Sequence, residues 1–175
     1  TTTTTTTTTL DLVDQLKNNA PILNAVLAES WRLTAPLTNH STVAMEELEY
    51  KGYVIPKGTF IAIDHQAHAK MNDGLYPGAE HFCFERWLPK DHKLYDPTKA
   101  NTTEIDYNVM SSKFRTFNHG PHMCLGAHFA KLEVRIVLAR LFQSYKLEIR
   151  NERTHTFPTK QLLNEFKLTK LVVDS

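Results

Sequence analysis

Residues 117–126 read F-N-H-G-P-H-M-C-L-G, and this stretch decides the fold. Cys124 lies between Gly120 and Gly126, and apolar residues at helical spacing follow it directly. The pattern predicts a glycine-containing loop that ends in a helix over residues 124–143, with the cysteine at the helix start. The first turn of a helix has free backbone N–H groups and a partial positive charge, which bias a thiol towards the thiolate that binds metals.

Three interpretations of Cys124 stay open on these residues alone. The first is a haem iron with Cys124 as its single thiolate ligand, because a flat macrocycle needs glycines where it approaches the chain closely. The second is a zinc site, for which His119, His122 and His128 would supply imidazole ligands beside the thiolate. The third makes Cys124 a buried small apolar residue and the chain a binding or scaffold module.

Composition limits the classes of function. The chain has 175 residues, of which 41% are hydrophobic and 22% charged, and its formal net charge is +1. These values suit one soluble globular unit and exclude a general, charge-driven affinity for nucleic acid. Two cysteines indicate no disulfide framework and favour a reducing environment. Residues 1–9 are all threonine, which predicts a low-complexity tail before a domain over residues 10–175.

Periodicity and turn residues predict a mixed α and β chain. Helices are predicted over residues 10–18, Pro21–Leu33 and 124–143, with a helical turn over residues 66–71. Strands are predicted over residues 37–43, 48–55 (with a turn at Lys51 and Gly52) and 60–64, and a late hairpin over residues 145–149 and 166–173. Residues 72–88 contain many glycines, prolines and aromatics, which predicts an ordered loop packed on the rest.

Three motifs occur in a fixed order along the chain. They are E-x-x-R at Glu29 and Arg32, E-R-W at residues 85–87, and F-x-x-G-x-H-x-C-x-G at residues 117–126. Together they resemble the C-terminal half of a cytochrome P-450, a haem-thiolate monooxygenase, from about residue 10 to the end. The resemblance implies an α+β, mainly α fold that is the proximal portion of the cytochrome P-450 fold with small β-sheets.

The resemblance also implies roles for individual residues. Cys124 matches the axial thiolate ligand of haem b (iron protoporphyrin IX). The other cofactor-binding residues would be Phe117, which shields the sulfur, the loop glycines Gly120 and Gly126, and the propionate partners His122 and His40. His122 stands where the family usually has an arginine.

Glu29, Arg32 and Arg86 match a buried structural trio in the family. A carboxylate that is bidentate to one arginine and bonded to a second can lock a helix to a loop when it is fully hydrogen-bonded. The trio would hold the haem-binding core and would not perform the chemistry.

The family's distal half has no counterpart in this sequence. The A/G-G-x-x-T pattern that accompanies oxygen activation is missing, so no catalytic residue beyond the thiolate is predicted here. The resemblance therefore implies the haem-binding portion of a monooxygenase that inserts one atom of O2 into a small organic substrate, inactive as this portion alone. The alternative is a truncated, non-catalytic structural subunit of a larger assembly.

The resemblance implies partners as well. A reductase or ferredoxin would pass electrons from NAD(P)H and dock on the proximal face, where Lys113, Arg115, Lys131 and Arg135 predict a basic patch. The N-terminal half, or a larger assembly, would be a further partner. The expected location is intracellular, and membrane association would need a segment absent from this sequence, which has no apolar run long enough to span a bilayer.

Overall fold

The computed structural model describes residues 9–34, 39–101, 113–155 and 161–170. The described residues form two compact units, one within residues 17–127 and one from the described parts of residues 1–16 and 128–175. The helices are α1 (Thr9–Asn18), α2 (Pro21–Leu33), α3 (His65–Lys70) and α4 (Ala127–Ser144), with 3-10 turns at Phe84–Trp87 and Gly120–His122. The strands are β1 (Asn39–Val43), β2 (Leu48–Tyr50), β3 (Tyr53–Ile55), β4 (Phe60–Asp64), β5 (Tyr145–His155) and β6 (Gln161–Lys170).

Three two-stranded antiparallel sheets account for the described strands. Strand β1 pairs with β4, so that His40 lies opposite Ile63, and β2 pairs with β3. The turn between β2 and β3 is the predicted one, since Lys51 and Gly52 both have positive φ, of 52° and 82°. The predicted strand over residues 60–64 is confirmed, and residues 37–38 of the first predicted strand lie outside the described residues.

The core of the unit within residues 17–127 forms under α2. Pro21 begins this helix, as predicted, and Leu33 ends it. Ala25 and Ala28 are fully buried on one face. Their small side chains let the helix pack closely on a cluster formed by Tyr76, Ala79, Trp87, Leu88 and Phe114. The predicted ordered loop over residues 72–88 thus supplies most of this core.

The other unit contains α1 up to Leu16, all of α4 beyond its first residue, and the late hairpin. The hairpin is confirmed, with Ile149 opposite Phe166 and a bulge between Ile149 and Asn151. Its first strand ends later and its second begins earlier than predicted, and residues 171–173 of the predicted second strand lie outside the described residues. The predicted start of the long helix at Cys124 is wrong. The helix begins at Ala127, because Leu125 and Gly126 form a turn after the cysteine.

The predicted fold class is confirmed as an α+β, mainly α chain with small antiparallel sheets. Among the residues that the structure describes, no helix combines the length and apolar character needed to cross a membrane.

Ala28→Leu tests the close packing of α2. The larger side chain has no room against the aromatic cluster, so we expect the free energy of unfolding to fall by about 1–3 kcal/mol, measured by urea denaturation. Ala62→Leu, at an exposed position in β4, is the matched control and should change the stability by less than about 0.5 kcal/mol. Equal effects of the two substitutions would contradict the packing described for α2.

Candidate functional site

Glu29 is a fully buried carboxylate that accepts hydrogen bonds from five N–H groups. Arg32 binds it in a bidentate manner, with Nε 2.9 Å from Oε2 and Nη2 2.7 Å from Oε1. Arg86 Nε and the backbone N–H of Cys83 donate to Oε1 at 3.2 and 2.8 Å. Trp87 Nε1 donates to Oε2 at 2.8 Å. Both oxygens are therefore saturated, as a buried charge requires.

Arg32 uses its remaining donors on the last turn of α3 and on the loop that follows it. Its Nη1 donates to the carbonyl oxygens of Ala69 and Ala79, and its Nη2 donates to that of His81 at 3.1 Å. The guanidinium also lies over the ring of Tyr76, with Cζ 5.1 Å from the centroid. One side chain of α2 thus fixes the end of α3 and two points of the loop.

Arg86 completes the cluster from the 3-10 turn at Phe84–Trp87. Its side chain is buried, and its Nη groups donate to the carbonyl oxygens of Lys99 at 3.2 Å and Pro77 at 2.9 Å. Helical spacing predicts Glu29 and Arg32 as neighbours, the family resemblance predicts Arg86 as their third member, and the structure brings the three side chains together. Trp87 is a fourth member that sequence reasoning missed, although it stands beside Arg86 in the E-R-W motif.

These contacts set the protonation of Glu29. Burial alone would raise the pKa of its carboxyl, but hydrogen bonds from Arg32, Cys83 and Trp87, with the charge of Arg32, outweigh burial and hold the pKa below its ordinary value of 4.5. Glu29 is therefore an anion at neutral pH, and the cluster contains one negative and two positive groups.

Cys124 lies in an extended segment between the second 3-10 turn and α4. Its backbone N–H donates to the carbonyl of Phe117 at 2.9 Å, and its own carbonyl accepts from Ala127 N at 3.3 Å. The first bond joins the two ends of residues 117–124, which closes them into a loop and fixes the backbone of Cys124 beside that of Phe117. The thiol is free, and the residue is exposed.

Asn118 fastens this loop from within, and sequence reasoning missed it. Its backbone has a positive φ of 63°, a conformation that asparagine tolerates better than most residues. Its Nδ2 lies 2.9 Å from the carbonyl oxygen of His122 and 3.1 Å from Nδ1 of His40, while its Oδ1 accepts the N–H of His119 at 2.9 Å. Asparagine directly before the H-G pair was the available sequence signal for a turn.

His40 and His122 lie together, although 82 positions separate them in the sequence. Their ring centroids are 5.3 Å apart, and the rings are tilted by 37°. The ring of His65, the first residue of α3, stacks on His40 with centroids 6.5 Å apart. The structure therefore brings the two predicted propionate partners into one place and adds a third imidazole that the sequence had not indicated.

The residues present fit a haem held by one thiolate. An added Cβ at Gly120 or Gly126 would meet no protein atom within 4 Å, so the space at both positions is free of other parts of the described chain. Gly120 also needs its glycine for a φ of 71°. An exposed thiol and a separate group of imidazoles match two parts of the cofactor, its central iron and the anionic carboxylates at its edge. Phe117 is half-buried, and its ring meets Trp31 edge-on at 5.7 Å.

The two other interpretations of Cys124 are not supported by its surroundings. Among the described residues, which include His119, His122, Cys124 and His128, no three His, Cys, Asp or Glu side chains form a group that could hold a metal ion. The exposure of Cys124 contradicts its interpretation as a buried apolar residue.

The predicted basic docking patch is wrong for two of its four members. Lys131 and Arg135 are 2% and 4% exposed, and a covered side chain cannot meet a partner protein. Helical spacing had placed Arg135 away from the apolar stripe of the helix, but Arg135 and Lys131, one turn apart, are buried, whereas the apolar Val137 and Phe142 are exposed. Lys113 is exposed and Arg115 half-buried.

Comparisons with known proteins agree on one family. A sequence model described as Cytochrome P450 matches residues 11–173. A cytochrome P450 monooxygenase of Penicillium ochrochloron, ptmK, is 31% identical over 150 residues, which cover 85% of this chain and 28% of that protein. Another, sphH of Aspergillus fumigatus, is 34% identical over 134 residues, covering 77% of this chain and 23% of that protein.

Solved structures show the same fold. Cyanobacterial CYP120A1 with bound retinoic acid superposes with a TM-score of 0.68 at 24% identity, over 90% of this chain and 34% of that one. A zebrafish cytochrome P450 with abiraterone gives 0.67 at 22% identity, over 92% and 36%. The chain spans about a quarter of the length of the curated relatives named above.

Glu29→Gln tests the buried cluster. The amide leaves two arginines facing a neutral group, so we expect the free energy of unfolding at pH 7 to fall by about 3–5 kcal/mol. Since the pKa of Glu29 is lowered on folding, its ionisation stabilises the native state fully above its ordinary value of 4.5, and this contribution is lost as the pH falls through the folded pKa. The substitution should therefore also flatten the loss of stability below that pH.

Urea denaturation at a series of pH values measures both effects. Glu80→Gln is the matched control, because the Glu80 side chain is 77% exposed and makes only a surface pair with His81. If the stability of Glu29→Gln falls below pH 4.5 as steeply as that of the wild type, another carboxyl controls acid unfolding.

Proposed function

The chain belongs to the cytochrome P450 family, and on that premise we propose that it is the haem-binding part of a monooxygenase that inserts one atom of O2 into a small organic substrate. Haem, when bound, supplies the oxygen chemistry, with electrons from NAD(P)H through a reductase or ferredoxin. Because the chain spans about a quarter of its curated relatives, the substrate pocket would draw mainly on the rest of the protein. No observation on the described residues favours a purely structural subunit.

The observation that carries the proposal is the setting of Cys124. The thiol is exposed at the end of a loop whose backbone is fixed by the bond from Cys124 N to the carbonyl of Phe117. Sulfur bound to a metal must be accessible on one side and rigidly held on the other, and this loop meets both conditions. Cys124 would be the axial thiolate, and no second cysteine competes, since Cys83 lies in the loop locked to Glu29.

Other residues of the loop would orient the cofactor. Phe117 packs on Trp31, which holds its ring at the start of the loop, and from there Phe117 would shield one side of the thiolate from water. His122 and His40 would receive the carboxylate edge of the cofactor. Asn118 fixes both, because its Nδ2 contacts the carbonyl of His122 and the ring of His40.

The cluster of Glu29, Arg32 and Arg86 would stabilise the elements on which this site is built. It takes no part in the reaction, since all its polar atoms point to α2 or to the loop over residues 69–99. Its role would be to keep α2 in place, and α2 carries the carbonyl of Trp31, which accepts the Thr116 hydroxyl at 3.0 Å. The helix thus contacts the chain directly before Phe117.

Cys124→Ser tests the thiolate in the full-length protein. Reduction in the presence of carbon monoxide should give the wild type the red-shifted Soret band of a haem-thiolate, and the variant should lose that band. Cys83→Ser is the matched control and should keep it, because only the backbone of Cys83 contacts Glu29. A wild type without bound haem, or a variant with an unchanged band, would refute the proposal.

Arg32→Ala tests the supporting role of the cluster. Removal of the guanidinium leaves Glu29 buried with one fewer charge partner and frees the carbonyl oxygens of Ala69 and Ala79, so the loop should loosen. We expect most of the haem to be lost during purification, measured as haem per polypeptide. Arg140→Ala, an exposed position on α4, should keep the wild-type content. Normal haem content in Arg32→Ala would count against a supporting role.

A further inference from the structure

His65 is a buried imidazole whose hydrogen-bonding capacity is unused. The residue is only 6% exposed, and neither Nδ1 nor Nε2 has a hydrogen-bond partner. A neutral imidazole has one donor and one acceptor, and leaving either buried without a partner costs free energy. Other buried polar groups of the same unit, such as Glu29 and Arg32, are fully bonded. A group left in this condition in a native protein indicates a missing partner.

The charges around His65 indicate the nature of that partner. Burial is the largest cause that lowers the pKa of His65, and the positive charge of Arg115 and the rings of His40 and His68 lower this pKa further. Asp64 is the opposing group, but its Oδ1 already accepts the N–H of Ala67 at 2.8 Å. Basic groups thus dominate the surroundings, and an anion would relieve their repulsion.

The position of His65 links it to the cofactor site. Its ring stacks on His40, at 6.5 Å with an interplanar angle of 26°, and His40 in turn lies 5.3 Å from His122. The three rings come from α3, β1 and the cysteine loop, so three separate elements converge there. Convergence of basic groups from separate elements is typical of a site for an anionic ligand.

We propose that His65 is a third contact residue for the carboxylate edge of the bound haem, beside His40 and His122. The inference rests on the proposed haem binding. His65 donates a ring N–H to a propionate oxygen, which satisfies the buried donor and places a negative charge among the basic groups. The contact adds binding energy and directs the propionates, and it takes no part in oxygen chemistry.

A buried water is the competing partner. His65 and Arg115 line a small pocket together with His68 and Lys113. A water molecule there would satisfy a ring nitrogen, but it carries no net charge and so would not offset the positive charge of Arg115 that acts on His65. The two partners differ in one property that can be tested, since only the propionate contact disappears when the carboxylates of the cofactor are esterified.

The test uses the full-length protein loaded with iron protoporphyrin IX or with its dimethyl ester. His65→Phe keeps a flat ring against His40 and removes both nitrogens. The rate of cofactor loss to an excess of a haem-scavenging apoprotein is the readout, and it does not depend on catalytic activity. His81→Phe is the matched control, because the His81 side chain is 72% exposed and remote in function.

We expect His65→Phe to lose protoporphyrin about tenfold faster than the wild type, the usual effect of a lost hydrogen bond to a charged group, and to lose the dimethyl ester at the wild-type rate. Equal acceleration with both cofactors would assign His65 to packing or to a buried water and overturn the proposal. Unchanged rates with both would also overturn it. His81→Phe should match the wild type throughout.

A second pair of variants covers the case in which His65→Phe does not fold. His65→Gln and His65→Glu have the same shape and differ in charge. The proposal requires His65→Glu to lose protoporphyrin faster than His65→Gln, since its carboxylate repels a propionate, and requires the difference to vanish with the dimethyl ester. Similar rates would refute it. A wild type that binds haem through Cys124 while all His65 variants behave normally refutes this inference alone, whereas a wild type without haem refutes the proposed function as well.

Discussion

The buried carboxylate of Glu29 is the interaction on which the rest of the site depends. A lone carboxylate without contact to water would be strongly unfavourable, and here five N–H groups compensate it. Such a buried cluster adds little net stability compared with an apolar core, but removal of one member is costly, so its main effect is to specify one arrangement. That arrangement joins α2 to a loop with almost no regular structure of its own.

The same helix connects this cluster to the cysteine loop. Trp31 follows Glu29 by two positions and therefore points to a different side of α2. Its ring meets Phe117, and its carbonyl accepts the hydroxyl of Thr116. Because Glu29 fixes the rotation of α2, it also fixes where Trp31 stands, and Trp31 sets the base of the loop that ends at Cys124. The cluster would thus act on the proposed haem site without touching it.

Much of this could be predicted from the sequence where the determining contacts are local. Helix α2 has its predicted bounds, and Glu29 and Arg32 are neighbours because they are three residues apart on one helix. Long-range contacts were beyond spacing and periodicity, and only the family resemblance indicated that Arg86 joins Glu29. Spacing does not reveal that Asn118 reaches His40 or that His65 stacks on it, and a polar pattern could not show that Lys131 and Arg135 are covered.

Glu29 and His65 show two opposite uses of a buried polar group in one unit of the chain. Glu29 has every lone pair bonded to the protein itself, so its cluster is complete without a ligand and acts on the fold. His65 is buried to a similar degree, yet both ring nitrogens are unbonded, so its free energy is not minimised by the protein alone. The proposed contact with a haem propionate would remove this cost. On that proposal, Glu29 holds the scaffold and His65 faces the cofactor.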